Sequence, residues 1–348
     1  MEKRNSLVDH IKECRSRQRT STSTDLVTSW RDEEIWNGEL RDCFTIIFRT
    51  KGCRWSSTAG CSMCGYHTDT NPDINTDDLL KQLEEAISRY DGEDIVKIYT
   101  SGSFFDSDEV PENVALKILS SFDSEKTLIE SRPEFITNKT LDDYGSKTNC
   151  MEVAVGLETA SDFVRNHCIN KGFSYEAYKE ARDKVLNGGH KLRTYLLLKP
   201  PFLSEEESVQ DVLFSIKKVS RDGNITSINP TNMQRGSLVH HLWRRRLYRP
   251  PWIWSIVDVL REAESDSPLL VSKVGLGSKR GAHNCSECEG KIIDKIDEFN
   301  KTQDISSLDG VDSICDCRER YLCERRLESM WDFRGSMDIL SYRDTGYI

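Results

Sequence analysis

The chain has 348 residues, with 37% hydrophobic and 30% charged residues and a formal net charge of −10 at pH 7. This composition is typical of a globular protein with a full core, and the acidic balance disfavours broad, non-specific binding to nucleic acid. No apolar run approaches the ~18 to 20 residues of a membrane span, and the polar N-terminus lacks the apolar core of a signal peptide. We therefore expect a cytoplasmic protein with no membrane partner.

Residues 1–40 are polar and predict an N-terminal extension, with one helix at about 6–18 and an acidic turn between Trp30 and Trp36. From residue 41, short β-branched runs alternate with helical patterns, which indicates βα units and a parallel sheet. The candidate strands are 43–49, 94–100, 126–131, 151–157, 192–198 and 225–229, and the candidate helices between them are 75–90, 111–121, 139–145, 174–188 and 204–220.

Six such repeats predict an α/β fold, a partial (βα)6 barrel of the TIM type, over residues 41–230. Residues 231–348 predict a small C-terminal extension, with a helix at about 252–264, a strand at 269–274 and a cysteine-rich region. Of the twelve cysteines, eight fall into two clusters, which in a cytosolic protein indicates metal ligation and not disulfides.

Cys53, Cys61 and Cys64 follow the first predicted strand with C-x7-C-x2-C spacing. Three thiolates on one loop can hold three irons of a 4Fe-4S cluster. Most such clusters take a fourth cysteine, which this loop lacks. The fourth iron is then open to an outside ligand such as S-adenosylmethionine. Two other interpretations stay open: a redox pair of Cys61 and Cys64, and a zinc site that His67 completes.

Polar groups also follow the next three predicted strands, at the edge where parallel barrels carry their active loops. Small residues let backbone carbonyls approach an ammonium group, Arg132 offers a guanidinium to a carboxylate, and Glu158 suits a ribose diol. The candidates are Ser101, Gly102, Ser103, Arg132, Glu158 and Arg165.

Together these motifs resemble the archaeosine-biosynthesis radical SAM proteins, a branch similar to Elongator subunit three and the methylthiotransferases. The resemblance covers about residues 40–320 and lies in CRW…CSMCGY, TSGSFFD, ESRPEFIT, VGLETASDFVR, INKGFS, YLLLKPPFLSE and YRPPWIWS. The usual radical SAM spacing is C-x3-C-x2-C, and the longer first gap here is expected for this subfamily.

The resemblance implies a radical SAM enzyme whose loop cysteines bind the 4Fe-4S cluster. It assigns the methionine amine of S-adenosylmethionine to residues 101–103, the methionine carboxylate to Arg132, and the ribose side to Glu158 and Arg165. The polar edge that would face adenine or substrate consists of Asn229, Asn232 and Gln234. No catalytic residue is assigned.

The implied reaction is that of a tRNA-modifying lyase. A 5′-deoxyadenosyl radical cleaves the lysine carbon–nitrogen bond of a lysine-adducted 7-cyano-7-deazaguanine base and leaves archaeosine. The implied partners are tRNA, a lysine-transferring archaeosine synthase subunit and a low-potential electron donor. Because a barrel does not fix its substrate, another RNA- or porphyrin-directed radical SAM reaction stays an alternative, as does a zinc-dependent RNA-binding or scaffold protein without enzymatic activity.

Between Thr231 and Val257 the chain has five arginines and no carboxylate, with aromatic residues among them. Arginines contact phosphates and aromatic rings stack on exposed bases, which predicts contact with RNA. The alternative is a helix whose arginines are only solvated. The candidates for RNA contact are Arg244, Arg245, Arg246, Arg249 and Trp243.

Two close cysteine pairs lie about thirty residues apart near the C-terminus: Cys285 with Cys288, and Cys315 with Cys317. Close pairs separated by a helix-sized stretch predict a tetrahedral zinc site. A second iron–sulfur cluster and free thiols are the alternatives. His283 is a candidate replacement ligand, and Cys323 is expected to stand apart.

Overall fold

The computed structural model describes residues 6–330, so the ends of the two predicted extensions, residues 1–5 and 331–348, lie outside the described residues. Its sheet has eight strands, which neighbour one another in the order of the chain. They are β1 (Thr28–Trp36), β2 (Glu39–Ile47), β3 (Ile95–Tyr99), β4 (Lys126–Glu130), β5 (Met151–Glu158), β6 (Lys191–Leu198), β7 (Asn224–Pro230) and β8 (Leu269–Val271). Strands β2 to β8 are parallel, and β1 pairs with β2 in the antiparallel direction.

The helices are α1 (Leu7–Ser16), α2 (Arg54–Thr58), α3 (Thr76–Arg89), α4 (Glu112–Leu119), α5 (Asn138–Gly145), α6 (Asp162–Val164), α7 (Tyr175–Asn187), α8 (Glu205–Val219), α9 (Leu238–Arg244), α10 (Ile253–Glu262), α11 (Glu289–Thr302) and α12 (Cys317–Met330). Asn75, Thr137, Ser174 and Ser204 cap α3, α5, α7 and α8 with their side chains. These helices connect successive parallel strands, which confirms the predicted α/β fold. Within residues 6–330, no helix is long and apolar enough to cross a membrane.

The N-terminal hairpin differs from its prediction. The acidic turn expected between Trp30 and Trp36 is wrong, because residues 28–36 form strand β1. The true turn is Asn37-Gly38, whose φ angles of 52° and 81° are those that a tight hairpin requires. Asn-Gly is a strong hairpin signal, so this turn was readable from the sequence.

An ion pair between strands β6 and β1 shows that the sheet curls. Four strands separate β1 from β6, so a flat sheet would place them roughly 24 Å apart. Instead the Arg193 Nη1 of β6 lies 2.9 Å from the Glu34 Oε2 of β1. The sheet is therefore an open half-barrel, as the sequence predicted, with its N-terminal end narrowed by this contact.

Buried charges form a floor at this N-terminal end. Lys126 Nζ lies 2.8 Å from carboxylate oxygens of both Glu34 and Glu152, and Lys97 Nζ lies 3.0 Å from Glu34. Arg193 Nε completes the network at 2.5 Å from Glu152. Burial raises the pKa of Glu34, but the surrounding cations outweigh burial and hold this pKa well below its usual range.

Helix α11 covers the edge of the sheet at β8. The Asn300 side chain accepts from the Val271 N–H at 2.8 Å and donates to the Val271 carbonyl at 2.9 Å. The Gln303 side chain does the same for Leu269, at 2.9 and 2.8 Å. The same helix packs on β1 at the opposite edge, so it spans the open side of the half-barrel.

Candidate active site and cysteine centre

The cysteine loop, residues 51–66, lies at the C-terminal mouth of the half-barrel directly after β2. Cys61 is buried, whereas Cys53 and Cys64 are partly exposed. Burial raises the pKa of the Cys61 thiol to about 12, and the positive charge of Lys171 is the main influence that opposes this shift. The three thiols therefore lie on one loop, and two of them are accessible to solvent.

The segment after β5 holds one side of this loop. Trp55 Nε1 donates to the Asn170 carbonyl at 2.8 Å, and the Asn170 side chain donates to the Gly60 carbonyl at 2.7 Å. Gly172 has a φ of +81°, and a Cβ at that position would lie 2.5 Å from the Trp55 ring. The INKGFS motif thus contains residues that fix the cysteine loop in place.

The segment after β3 holds the other side. A Cβ on Gly102 would lie 2.6 Å from the Cα of Cys53, so only glycine allows the two backbones to approach this closely. Behind Gly102, the Glu109 carboxyl accepts from Thr50 Oγ1 and from the Ser103 N–H, both at 2.6 Å. Burial raises the pKa of Glu109 to about 7. The sequence prediction included Gly102 and Ser103 but missed Glu109.

Arg132 lies beside the cysteine loop. Its N–H donates to Ser103 Oγ at 3.0 Å, and its Nη1 donates to the Lys171 carbonyl at 3.0 Å. The guanidinium lies 5.5 Å from the Trp55 ring and 5.3 Å from the Phe173 ring. The structure therefore brings two predicted positions, Ser103 and Arg132, to one side of the cysteines.

Glu158 ends β5 with a φ of +68°, a strained conformation for a non-glycine residue. Its Oε1 lies 2.6 Å from Lys171 Nζ, and this ion pair is buried next to Cys61. The sequence prediction named Glu158 but missed Lys171. The only signal for Lys171 was its place in the INKGFS motif, because thirteen residues separate it from its partner.

Arg165 is fully buried, and its guanidinium contacts other residues of the loop after β5. Nη1 donates to the Thr159 carbonyl at 2.6 Å, Nε donates to the Phe173 carbonyl at 2.9 Å, and Asp162 forms an ion pair with Nη2. This arrangement ties both ends of the loop after β5 together. The predicted contact of Arg165 with a ribose stays a prediction.

A polar layer lies inside the half-barrel between the charged floor and the cysteine loop. The Tyr195 side chain lies close to those of both Tyr99 and Glu130. Burial raises the pKa of Glu130 to about 8 and that of Tyr99 to about 12. Asn229 ends β7 on this side, with its Oδ1 accepting from Ser227 Oγ at 3.1 Å. The sequence prediction included Asn229 but neither tyrosine.

A cavity of about 380 Å³ opens beside the cysteine loop. Its walls are residues 65–69 on one side and residues 232–235 and 275–280 on the other. Asn232 and Gln234, predicted to face adenine or substrate, both line it. Gln234 Oε1 also accepts from the Gly65 N–H at 2.7 Å, which links this wall to the cysteine loop.

The predicted RNA-contacting residues separate into two groups. Three are exposed and form no ion pair with any residue in the described range: Arg244, Arg245 and Arg246. Trp243 is partly buried and stacks on His240, with ring centroids 5.8 Å apart. Arg249 instead donates to the His283 carbonyl at 2.9 Å and lies 3.9 Å from the centre of the Trp252 ring. Its guanidinium is therefore used within the protein.

The four tail cysteines converge on one point. The Sγ atoms of Cys285 and Cys315 lie 3.5 Å apart, as do those of Cys288 and Cys317, and all four sulfurs lie within 4.8 Å of one another. Four thiolates at 2.3 Å from a tetrahedral ion are roughly 3.8 Å apart. This spacing fits a single metal ion and is too tight for a cluster of several irons.

The surroundings of these four sulfurs fit a bound cation. Trp254 Nε1 donates to Cys317 Sγ at 3.2 Å, and Asn284 Nδ2 donates to Cys288 Sγ at 3.5 Å. Such donors orient thiolate ligands and stabilise their charge. His283 and Cys323 are not members of the group, and Cys323 is exposed.

The loop cysteines behave differently. Between residues 6 and 330, the tail cysteines are the only group of three or more His, Cys, Asp or Glu side chains drawn together around one point. His67 therefore does not join Cys53, Cys61 and Cys64 in a compact four-ligand set. Both ring nitrogens of His67 are buried without a hydrogen-bond partner among these residues, so the zinc alternative for this loop stays open.

The parallel half-barrel, with three cysteines on the loop at its C-terminal mouth, has the arrangement that the resemblance to radical SAM enzymes predicted. The chain is 37% identical to archaeosine synthase subunit beta of Methanosarcina acetivorans, over 88% of this chain and 92% of the relative. It is 36% identical to the protein of the same name from Thermococcus kodakarensis, over 86% of this chain and 98% of that relative. The chain therefore belongs to the archaeosine synthase subunit beta family, as the sequence motifs predicted.

Solved structures with a related outline are more distant. A queuine lyase from Clostridium spiroforme bound to SAM and queuine is 19% identical, with a TM-score of 0.44 over 61% of this chain and 87% of that chain. The Elp3 protein of Methanocaldococcus infernus is 16% identical, with a TM-score of 0.45 over 63% and 57%. No protein-family model matches the chain.

Proposed function

We propose that this enzyme acts on tRNA and cleaves the lysine carbon–nitrogen bond of a lysine-adducted 7-cyano-7-deazaguanine base, producing archaeosine. The observation that carries the proposal is the cysteine loop at the mouth of the half-barrel, in a chain whose relatives are named archaeosine synthase subunit beta. The reaction would make the enzyme a lyase. Its partners would be a lysine-transferring synthase subunit and a low-potential electron donor.

Cys53, Cys61 and Cys64 would hold a 4Fe-4S cluster, with S-adenosylmethionine on the fourth iron. When bound, these groups supply a 5′-deoxyadenosyl radical that abstracts a hydrogen atom from an unactivated carbon. Arg132 and Lys171, which lie beside the cysteine loop, would be the candidates to pair with the methionine carboxylate.

The remaining cofactor positions follow the strand ends. Ser101, Gly102 and Ser103 would present backbone groups to the methionine amine, and Glu158, with Arg165 supporting its loop, would face the ribose. The half-buried layer of Tyr99, Tyr195 and Glu130 would limit access of water from below. The polar edge at Asn229 would contact adenine or the substrate.

Contact with RNA is supported by the exposed arginines after α9. Arg244, Arg245 and Arg246 have no ion pair with a described residue, so they are available for phosphates. Trp243 and Arg249 are less available, since one stacks on a histidine and the other is bound within the protein.

Zinc is the proposed ion of the four tail cysteines, because their spacing fits tetrahedral thiolate coordination. A tail centred on this ion would stabilise α11 and α12, which flank the site. Zinc in this position would have a structural role, since four thiolates leave no coordination position for substrate.

The proposal is tested on anaerobically purified protein. We expect about four irons per chain in the loop site, 5′-deoxyadenosine on addition of dithionite and S-adenosylmethionine, and archaeosine from lysine-adducted but not from unmodified tRNA. Cys61→Ser should abolish both products, whereas Cys150→Ser, an isolated cysteine, should not. Formation of 5′-deoxyadenosine without archaeosine would assign another substrate. Its absence with an intact cluster would refute the radical reaction.

A further inference from the structure

The cavity beside the cysteine loop includes Asn232 and Gln234, which were predicted to face adenine or substrate, but not the predicted cofactor positions at the ends of β3, β4 and β5. Its volume of about 380 Å³ lies in the range of small-molecule pockets. Residues 65–69 continue directly from Cys64, so its inner wall is the end of the cysteine loop. None of the residues predicted to hold S-adenosylmethionine at the strand ends β3, β4 and β5 lines it.

The wall of this cavity carries an accessible aromatic ring. Tyr66 is 50% exposed although it follows the buried Gly65. The backbone beside the ring is held in place, because the Gly65 N–H donates to Gln234 Oε1 at 2.7 Å. An accessible ring on a fixed backbone is suited to stack on a planar base.

Two polar side chains in the cavity have no partner within residues 6–330. The Asp69 carboxylate is exposed and forms no ion pair or hydrogen bond there, although Arg49 holds the Asp69 carbonyl. The Asn232 amide lies against Gly275, where a Cβ would be 3.0 Å from its Nδ2, and it too has no hydrogen bond. The cavity therefore offers one carboxylate that only accepts and one amide that can donate.

This pairing fits the Watson–Crick edge of guanine. Guanine presents adjacent N1–H and N2–H donors, which a carboxylate accepts, next to the O6 acceptor, to which an amide donates. Adenine lacks the two adjacent donors. A carboxylate and an amide in one cavity therefore suit a guanine-type base better than adenine.

The rim of the cavity is basic. Arg235 and Arg280 are both exposed. Arg280 donates to the Met233 carbonyl through Nε at 3.1 Å and Nη2 at 2.6 Å, which orients the guanidinium and leaves Nη1 available. Arginines at the rim suit the phosphates on either side of a bound base.

We propose that this cavity binds a guanine-type nucleobase of the RNA substrate, with Tyr66 stacking on the base, Asp69 accepting from N1–H and N2–H, and Asn232 donating to O6. The proposal deepens the proposed function, because it rests on an RNA substrate. It does not depend on which bond is cleaved. The cavity then acts as a specificity site beside the reaction centre.

Binding of single nucleotides to the cluster-loaded protein tests this assignment, with GMP, XMP and AMP as probes in isothermal titration calorimetry. We expect GMP to bind about tenfold or more tightly than AMP. Asp69→Asn should weaken the binding of GMP by a similar factor. It should strengthen the binding of XMP, because xanthine has a carbonyl at position 2 that accepts from an amide. Tyr66→Ala should weaken all three nucleotides.

Asp73→Asn is the matched control, because Asp73 is an exposed acidic residue of the same loop that does not line the cavity. It should leave the order of affinities unchanged. Equal affinity for GMP and AMP, or the same loss in both variants, would overturn the proposal. Formation of 5′-deoxyadenosine by the wild-type protein without RNA is a separate readout. If it persists while GMP selectivity is absent, only the pocket assignment fails; if it is absent while selectivity persists, only the radical function fails.

Discussion

Arg193 of β6 and Glu34 of β1 form a buried, doubly hydrogen-bonded ion pair, at 2.9 and 2.5 Å, although four strands of the sheet lie between them. The pair closes the N-terminal end of the half-barrel. It also joins the hairpin of the N-terminal extension to the body of the barrel. The mouth that carries the cysteine loop is at the opposite end of the same strands.

Replacing Glu34 by Gln should destabilise the protein strongly. The change leaves Arg193, Lys97 and Lys126 buried with one carboxylate fewer, and breaking a buried pair costs about 3–5 kcal/mol. Urea unfolding measures the change in the free energy of unfolding. Glu33→Gln, at an exposed neighbour, should cost about 1 kcal/mol or less, and equal costs would contradict the role given to the floor.

The same floor predicts sensitivity to acid. The cations hold the pKa of Glu34 and Glu152 below the usual 4.5, so both carboxylates bind protons more weakly in the folded than in the unfolded chain. Their stabilising contribution is therefore present above a pH of 4.5, the ordinary pKa of this side chain, and it is lost as the pH falls below that value. We expect the melting temperature to fall on acidification, and to fall less steeply in Glu34→Gln. If the melting temperatures of the wild-type protein and Glu34→Gln fell equally with pH, the role given to Glu34 would be contradicted.

Most regular elements of the barrel were predictable because apolar periodicity and caps are local signals. Residues 204–220 predicted α8 from a capping box that the structure contains. Strand β1 was missed because TSWRDEEIW has no apolar alternation. Its buried Glu34 finds its partners on strands that follow 60 to 160 residues later, which no local pattern reveals.

Replacing Gly102 by Ala should disturb the cysteine loop. The new Cβ would press on the Cα of Cys53 and on the Glu109 carboxylate, so the loop must move. We expect most of the iron to be lost, measured as iron per chain after anaerobic reconstitution. Gly290→Ala is the control, because a Cβ there meets nothing within 4 Å. Full iron in Gly102→Ala would show that the close approach is dispensable.

Replacing Cys288 by Ser should release the metal of the tail. A structural ion contributes its binding free energy to folding, so the melting temperature should fall together with the loss of one ion per chain. Metal analysis and thermal unfolding measure both quantities. The exposed Cys323→Ser should retain both the ion and the melting temperature. Iron in place of zinc would correct the identity of the ion without affecting its ligands.

Replacing three exposed arginines by Ala should weaken tRNA binding: Arg244, Arg245 and Arg246. Removing one arginine that neutralises a phosphate lowers the slope of log affinity against log salt by about 0.7 to 0.9, so the slope of the triple variant should fall by about two to three. A matched control removes three exposed lysines without ion pairs elsewhere on the described surface: Lys81, Lys147 and Lys191. Equal slopes in the two variants would place the RNA on another face.

For the active site, the sequence predicted which residues lie near the cysteine loop better than it predicted which side chains they contact. Cys53, Gly102, Arg132 and Glu158 lie near one another because parallel strands end at the same edge. Lys171 was missed because its pairing with Glu158 depends on the strained end of β5. Such a backbone conformation is set by the packing around it and leaves no trace in spacing or composition.

Helix α11 has a consequence for the order in which the chain folds. Its Asn300 and Gln303 supply the hydrogen bonds that β8 would otherwise offer to another strand, and the helix also packs on β1. On a ribosome, the β1 edge is made long before residue 289 begins this helix, whereas the β8 edge is made shortly before it. The nascent barrel therefore carries an unprotected β1 edge until residues 289–302 are made, and such edges are sites of aggregation. Because α11 begins directly after Cys288, a supply of metal during synthesis should raise the yield of folded protein.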